Sequence, residues 1–126
     1  MASLEVPCGQ CIGCRLERTR DWAVRMMHES SLHSDNSFVT LTYDDDKLPF
    51  RGQLRYRDVQ LFLKRLRKQG GFRFFCTGEY GEVFSRPHYH LALFGYWPTD
   101  AEKFSMDSDY WDSKALESVW GHGRVS

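Results

Sequence analysis

Two histidines one residue apart, His88 and His90, open the apolar run RPHYHLALFG of residues 86–95. Leu or Val would pack better there, so the imidazoles need a reason. One reason is plain: a partly exposed strand that happens to carry two histidines. The other is chemical. Imidazole is a common metal ligand, and two of them beside a carboxylate can hold a divalent ion with positions left open to substrate. A second group of reactive side chains stands near the start of the chain. In CGQCIGC, Cys8, Cys11 and Cys14 recur every third residue. Such close spacing suits a metal or redox role better than a disulfide framework, and it fits a reducing compartment. A structural zinc wants four ligands and this run supplies three, so a zinc here is one reading and ordered free thiols are the other. Cys76 could be a fourth, but it lies in the apolar strand FRFFCTGEY, where packing is its expected role.

These residues need elements to hold them. CRLERTRDWAVRMMHESSLH (14–33) reads as a helix, with Leu16, Ala23, Met26, Met27 and Ser30 at three- and four-residue steps. SFVTLTY (37–43) alternates and is β-branched, which predicts a strand, and DDDKLPFRGQ (44–53) predicts a loop. RYRDVQLFLKRLRKQGG (55–71) carries the clearest helical stripe, Val59, Phe62, Leu63 and Leu66, and Gly70 and Gly71 end it. FRFFCTGEY (72–80) and PHYHLALFG (87–95) predict two strands joined by a turn, and Pro87 is tolerated at the opening of the second. WDSKALESVW (111–120) predicts a short helix, and RVS (124–126) the beginning of a further strand. The expected fold is α+β: one domain over residues 1–126, an antiparallel sheet with helices packed on one face and the other face open.

Alternation then assembles a site. Side chains two apart on a strand share a face, roughly 6.5–7 Å from one another. His88 and His90 therefore point the same way, with Ala92 and Phe94, while Tyr89, Leu91 and Leu93 turn toward the helices. If Glu79 lies opposite His88, Thr77 lies opposite His90, because facing residues of an antiparallel ladder project together. Arg73 and Phe75 then join the open face, and Phe72, Phe74 and Cys76 go inward. A one-residue slip would reverse that apolar pattern. Two imidazoles and a carboxylate so placed suit Mn²⁺, Mg²⁺ or a similar Lewis acid more than a closed zinc site. Thr40 and Thr42 add hydroxyls if their strand lies alongside, although β-propensity alone accounts for threonine there. Asp44, Asp45 and Asp46 read as a solvated loop.

The composition limits the partners. With 126 residues, 41% of them hydrophobic, the chain can bury one core. No apolar run reaches the length of a membrane helix and no signal peptide opens the chain, so the expectation is a soluble, intracellular protein without a membrane partner. Lys and Arg equal Asp and Glu at 17 each, which taken alone disfavours a polyanion partner. The distribution corrects that impression: residues 1–75 hold 13 basic against 9 acidic side chains and residues 76–126 hold 4 against 8. A neutral chain can thus still present a basic surface. Arg15, Arg18 and Arg25 on the first helix and Arg73 and Arg86 around the hairpin are candidate phosphate contacts, with ordinary surface charge as the alternative.

Three stretches in order, VPCGQCIGCRLERTRDWAVR, FVTLTY and GEYGEVFSRPHYHLALFG, resemble the replication initiators of gokushovirus-type microviruses, small single-stranded DNA bacteriophages. The wider superfamily is the HUH endonucleases, named for His-hydrophobe-His, here His88-Tyr89-His90. The resemblance covers nearly the whole chain. It implies a ferredoxin-like, RRM-like fold and a rolling-circle initiator that nicks one DNA strand at an origin in the cytoplasm of an infected bacterium, working with the host replication machinery. It matches the TLT stretch with the first rolling-circle motif, His88 and His90 with the second, and Glu79 with an acidic metal-ligand position. In that mechanism a tyrosine attacks the metal-polarised phosphate, becomes linked to the 5′ phosphate and frees a 3′ hydroxyl. The implied tyrosine sits on a helix after the histidines with a lysine three residues on. Only Tyr96 and Tyr110 follow His90, and neither has that context. The expectation is a nucleophile beyond Ser126, no catalytic residue within this chain, and a fragment that binds metal and single-stranded DNA without nicking. Two other classes compete: a sheet-faced nucleic-acid-binding module without chemistry, stacking bases on Phe75 and Phe94, and a metal-dependent hydrolase acting through bound water.

Overall fold

The computed structural model describes residues 5–82, 84–103, 106 and 110–126. Its chain divides into two compact units, residues 1–33 and 34–126. In the first, one helix, α1 (Ile12–Ser31), follows the cysteine loop; it starts two residues earlier than its apolar spacing predicts. Cys11 is its N-cap and His33 pairs with Glu29 at 2.9 Å near its end.

The second unit holds β1 (Asn36–Leu41), α2 (Tyr56–Leu66), β2 (Arg73–Tyr80), β3 (Pro87–Phe94), two two-residue strands β4 (Glu102–Lys103) and β5 (Trp111–Asp112), and α3 (Lys114–Trp120). The main sheet has the order β1-β3-β2, antiparallel throughout. The strand that RVS begins is present as well. Val125 bridges Leu41, and the Ser126 and Thr40 backbones exchange hydrogen bonds of 2.8 and 3.2 Å on the free edge of β1. Gly123 makes that approach feasible, because a Cβ there would lie 2.5 Å from the Thr42 carbonyl oxygen.

Alternation along β3 separates the two faces. Tyr89, Leu91 and Leu93 are fully buried with Val39 and Leu41 of β1, and the stripe Val59, Phe62, Leu63 and Leu66 of α2 covers them with Leu116 and Trp120 of α3. A polar network lies within this core. The Tyr43 hydroxyl donates to the buried Asp58 carboxylate at 2.8 Å and lies 3.1 Å from the Tyr89 hydroxyl. Burial, then these bonds, hold the Tyr43 phenol well above the ordinary tyrosine range.

Two inward and outward assignments need correction. Phe74, expected inward, is 42% exposed. It sits toward the outer end of edge strand β2, where the Arg67 guanidinium lies 5.5 Å from its ring. Phe94, expected on the open face, is only 6% exposed, flanked in register by Asn36 and Arg73 on the strands either side. A base-stacking role therefore does not suit it. The β4–β5 pair was not expected; Lys103 lies 5.6 Å over the Trp111 ring there. Among the described residues no helix is long and apolar enough to cross a membrane.

Candidate metal centre and its surroundings

The register that apolar alternation requires is the one observed. Glu79 faces His88 and Thr77 faces His90 across β2–β3, while Thr40 faces His90 from β1. His90 is thus flanked by a threonine on each side, on the central strand of the sheet.

One carboxylate oxygen gathers both imidazoles. Glu79 Oε2 is 3.2 Å from His88 Nε2 and 3.4 Å from His90 Nε2. The other ring nitrogens are engaged elsewhere: His88 Nδ1 lies 3.3 Å from the Arg86 carbonyl oxygen, and His90 Nδ1 lies 3.1 Å from the Thr40 hydroxyl. A carbonyl oxygen only accepts, so His88 Nδ1 carries the proton in that bond. The Nε2 of the neutral ring then offers a lone pair toward a carboxylate oxygen, an arrangement that calls for positive charge between them. A second proton or a cation supplies it. An octahedral ion with bonds of about 2.1 Å sets neighbouring donors about 3 Å apart, close to the spacing found here. Both nitrogens left for a ligand are the same atom type, oriented by a partner on the far side of each ring. His88, His90 and Glu79 are half-buried, half-buried and exposed, so the centre opens to solvent.

Phe38, which the sequence reading passed over, belongs to this site. Its ring stacks on His90, centroids 5.5 Å apart with planes 19° from parallel, and it is 68% exposed. The signal was available, because Phe38 and Thr40 share a face of β1 by alternation.

The other candidate contacts scatter. Thr42 donates its hydroxyl to the Arg124 carbonyl at 2.9 Å. Arg86 ties the β2–β3 turn to the segment after β1, pairing with Asp45 at 2.5 Å and donating to the Tyr43 carbonyl at 2.7 Å. Phe75 and Arg73 stand on the open-face positions of β2, the first half-buried and the second exposed. Arg15, Arg18 and Arg25 are exposed on α1 in the first unit; Arg18 donates to the Gly9 carbonyl and Arg25 lies over Trp22. Tyr89, the residue between the two histidines, points into the core, and burial raises its phenol above the usual range. Tyr96 is raised by burial too.

The cysteines form the other cluster. Ligand atoms of Cys8, Cys11 and Cys14 all lie within 4.8 Å of one another. Cys8 is lowered to about 7, chiefly by the backbone N–H groups of Gln10 and Cys11 and then by the neighbouring thiols. Cys76 behaves oppositely, its half-buried thiol pushed up to about 11 by burial against the core.

Comparison with known proteins follows the same outline. Residues 36–126 match the family model described as replication-associated protein of the ORF2 type. The chain is 36% identical over 138 residues to replication-associated protein VP4 of Bdellovibrio phage phiMH2K, covering 99% of this chain and 44% of that one. It is 37% identical over 133 residues to replication-associated protein ORF2 of Spiroplasma virus 4 (94% and 41%), and 34% identical over 137 residues to replication-associated protein ORF4 of Chlamydia phage 1 (98% and 34%). It therefore spans less than half the length of each of these relatives. No solved structure matches it. On the match over β1 to α3 and beyond, the chain belongs to the ORF2-type family of replication-associated proteins.

Proposed function

We propose that this chain forms the metal-binding core of a rolling-circle replication initiator of the HUH endonuclease type, acting on single-stranded phage DNA at an origin. One observation carries the proposal: two Nε2 atoms converge on a single oxygen of Glu79, on the face of the sheet that α2 and α3 leave uncovered. The relatives' printed names, all replication-associated proteins of phages or a virus, support the setting.

A Mn²⁺ or Mg²⁺ ion held by His88, His90 and Glu79 would polarise a scissile phosphate. The chain's own residues do the rest of the positioning. Thr40 and the Arg86 carbonyl fix the ring orientations of His90 and His88. Phe38 and Phe75 offer aromatic surface on which bases stack, and Arg73 stands where a phosphate would pass. In the proposed reaction a tyrosine oxygen bonds to phosphorus as the bond to the 3′ oxygen breaks. The 3′ oxygen leaves with the proton that it gains, and the protein stays on the 5′ phosphate. Host polymerases in an infected bacterial cytoplasm would extend the freed 3′ hydroxyl. The attacking tyrosine is assigned outside residues 1–126, because Thr99 and Ser113 stand where a lysine would follow Tyr96 and Tyr110.

Calorimetric titration with Mn²⁺ tests the centre. The expected result is one ion per chain at this site, weakened by roughly 100-fold or more in His88→Ala. Binding that is absent, or unchanged in the variant, overturns the proposal in favour of a plain nucleic-acid-binding module. On a longer chain, a covalent adduct with an origin oligonucleotide is expected; hydrolysis without an adduct would point instead to attack by bound water.

A further inference from the structure

The cysteine loop has no part in that reaction, and packing does not explain it. Cysteine is among the most buried residue types, yet Cys8 and Cys11 are exposed. Nor does helix formation ask for it. Ser, Thr, Asp and Asn cap a helix better than Cys, and Gly13 is a poor residue for a first turn. Cys11 nevertheless takes the N-cap of α1.

The backbone instead cradles the sulfurs. The Cys11 N–H donates to Cys8 Sγ at 3.3 Å and the Cys14 N–H to Cys11 Sγ at 3.4 Å. Gly9, at φ +75°, lets the chain turn sharply enough between Cys8 and Cys11 for the first of these bonds. The Arg18 guanidinium pins the Gly9 carbonyl from the second turn of α1. The positive end of the α1 dipole points toward the same group, a placement that favours thiolate over thiol.

Spacing then selects the ligand. A tetrahedral ion with Zn–S bonds of about 2.3 Å holds neighbouring sulfurs about 3.8 Å apart. Cys8 Sγ and Cys14 Sγ are 3.8 Å apart, and all three sulfurs fall within 4.8 Å. That is too far for a disulfide, whose sulfurs stand about 2.05 Å apart, and three thiols cannot pair off within one loop.

We infer that Cys8, Cys11 and Cys14 bind one Zn²⁺ through three thiolates, with water in the fourth position. The site is local to residues 8–14 and independent of the histidine–glutamate centre.

The test uses the reduced, metal-stripped chain carrying His88→Ala and His90→Ala, so that the sheet centre does not compete. Co²⁺ serves as the coloured substitute for Zn²⁺. The expected result is one equivalent of Co²⁺ bound with a thiolate charge-transfer band and the intense visible bands of tetrahedral cobalt, both bleached by one equivalent of Zn²⁺. Small added thiols should shift the visible bands by displacing the fourth-position water. Cys8→Ser, Cys11→Ser and Cys14→Ser should each weaken Co²⁺ binding by roughly tenfold or more. Absence of the charge-transfer band in the parent chain overturns the inference whatever the serine variants do. So does a band that survives all three substitutions unchanged.

Discussion

In the three-cysteine loop every donor comes from residues 8–14, whereas the sheet centre draws on two strands and is trimmed by a third. Cys8, Cys11 and Cys14 are brought together by one glycine turn and the first turn of α1. His88, His90 and Glu79 meet only because β2 pairs with β3 in one register, and Thr40 joins only because β1 pairs on the other side. The donor chemistry differs in step. Close to 3 Å between nitrogen and oxygen suits a small hard ion, and close to 4 Å between sulfurs suits a soft tetrahedral one. A locally built cluster should survive damage to the core of residues 34–126, and a register-built cluster should not.

The strongest way to break this comparison is through Leu91. It is fully buried on β3 between the two histidine-bearing positions and the rest of the apolar run. Leu91→Ala should cost about 2–5 kcal/mol, read from urea unfolding of residues 34–126. Mn²⁺ binding at the sheet should fall with it, while the Co²⁺ thiolate band should persist in conditions where the sheet has melted. Loss of both together would show that the cysteine cluster also depends on long-range structure.

The same distinction explains what the sequence made legible. The Cys-x-x-Cys-x-x-Cys spacing needs no fold to be read. The open face was also accessible, because apolar alternation in Tyr89-His90-Leu91-Ala92-Leu93 admits one register that buries the greasy side of both hairpin strands. The stripe of α2 was equally plain, and all four of its predicted residues are buried. What alternation cannot give is how far a covering layer extends. Phe74 has the parity of a core residue but lies where Arg67 rather than a helix covers it, and Phe94 has the parity of the open face yet is closed in. The β4–β5 pair has two residues in each strand, too few for a period to register. Phe38 was missed for another reason. Its strand was read for its threonines, and an aromatic contributes to this site only once β1 is known to border β3.

Phe38 offers a finer test, since it separates DNA from metal within one site. Its ring is exposed, so Phe38→Ala should change stability by only about 0.5 kcal/mol. If a base stacks on the Phe38–His90 pair, affinity for single-stranded DNA should fall by roughly 1–3 kcal/mol, with Mn²⁺ affinity little changed. Fluorescence anisotropy on an oligonucleotide and calorimetry on the same preparation read the two effects. Unchanged DNA affinity would remove Phe38 from the interface; a parallel loss of Mn²⁺ would make its role the positioning of His90.

The smallest expected effect concerns Thr40, which touches His90 without being a ligand. Its hydroxyl lies 3.1 Å from His90 Nδ1, on the side of the ring away from Glu79. Thr40→Val keeps the shape and β-branching but removes the partner that orients the ring, so Mn²⁺ affinity should drop by roughly tenfold with the fold intact. Thr40→Ser restores a hydroxyl and should recover most of that loss at some cost in strand propensity. The pair discriminates orientation from packing. If Val binds Mn²⁺ as tightly as Thr, strand pairing alone fixes the ring; if Ser fails to rescue, the methyl group contributes rather than the hydrogen bond. No substitution outside the cysteine loop can be expected to act on its sulfurs in this graded way, because there the orienting groups are backbone N–H groups that side-chain replacement leaves in place.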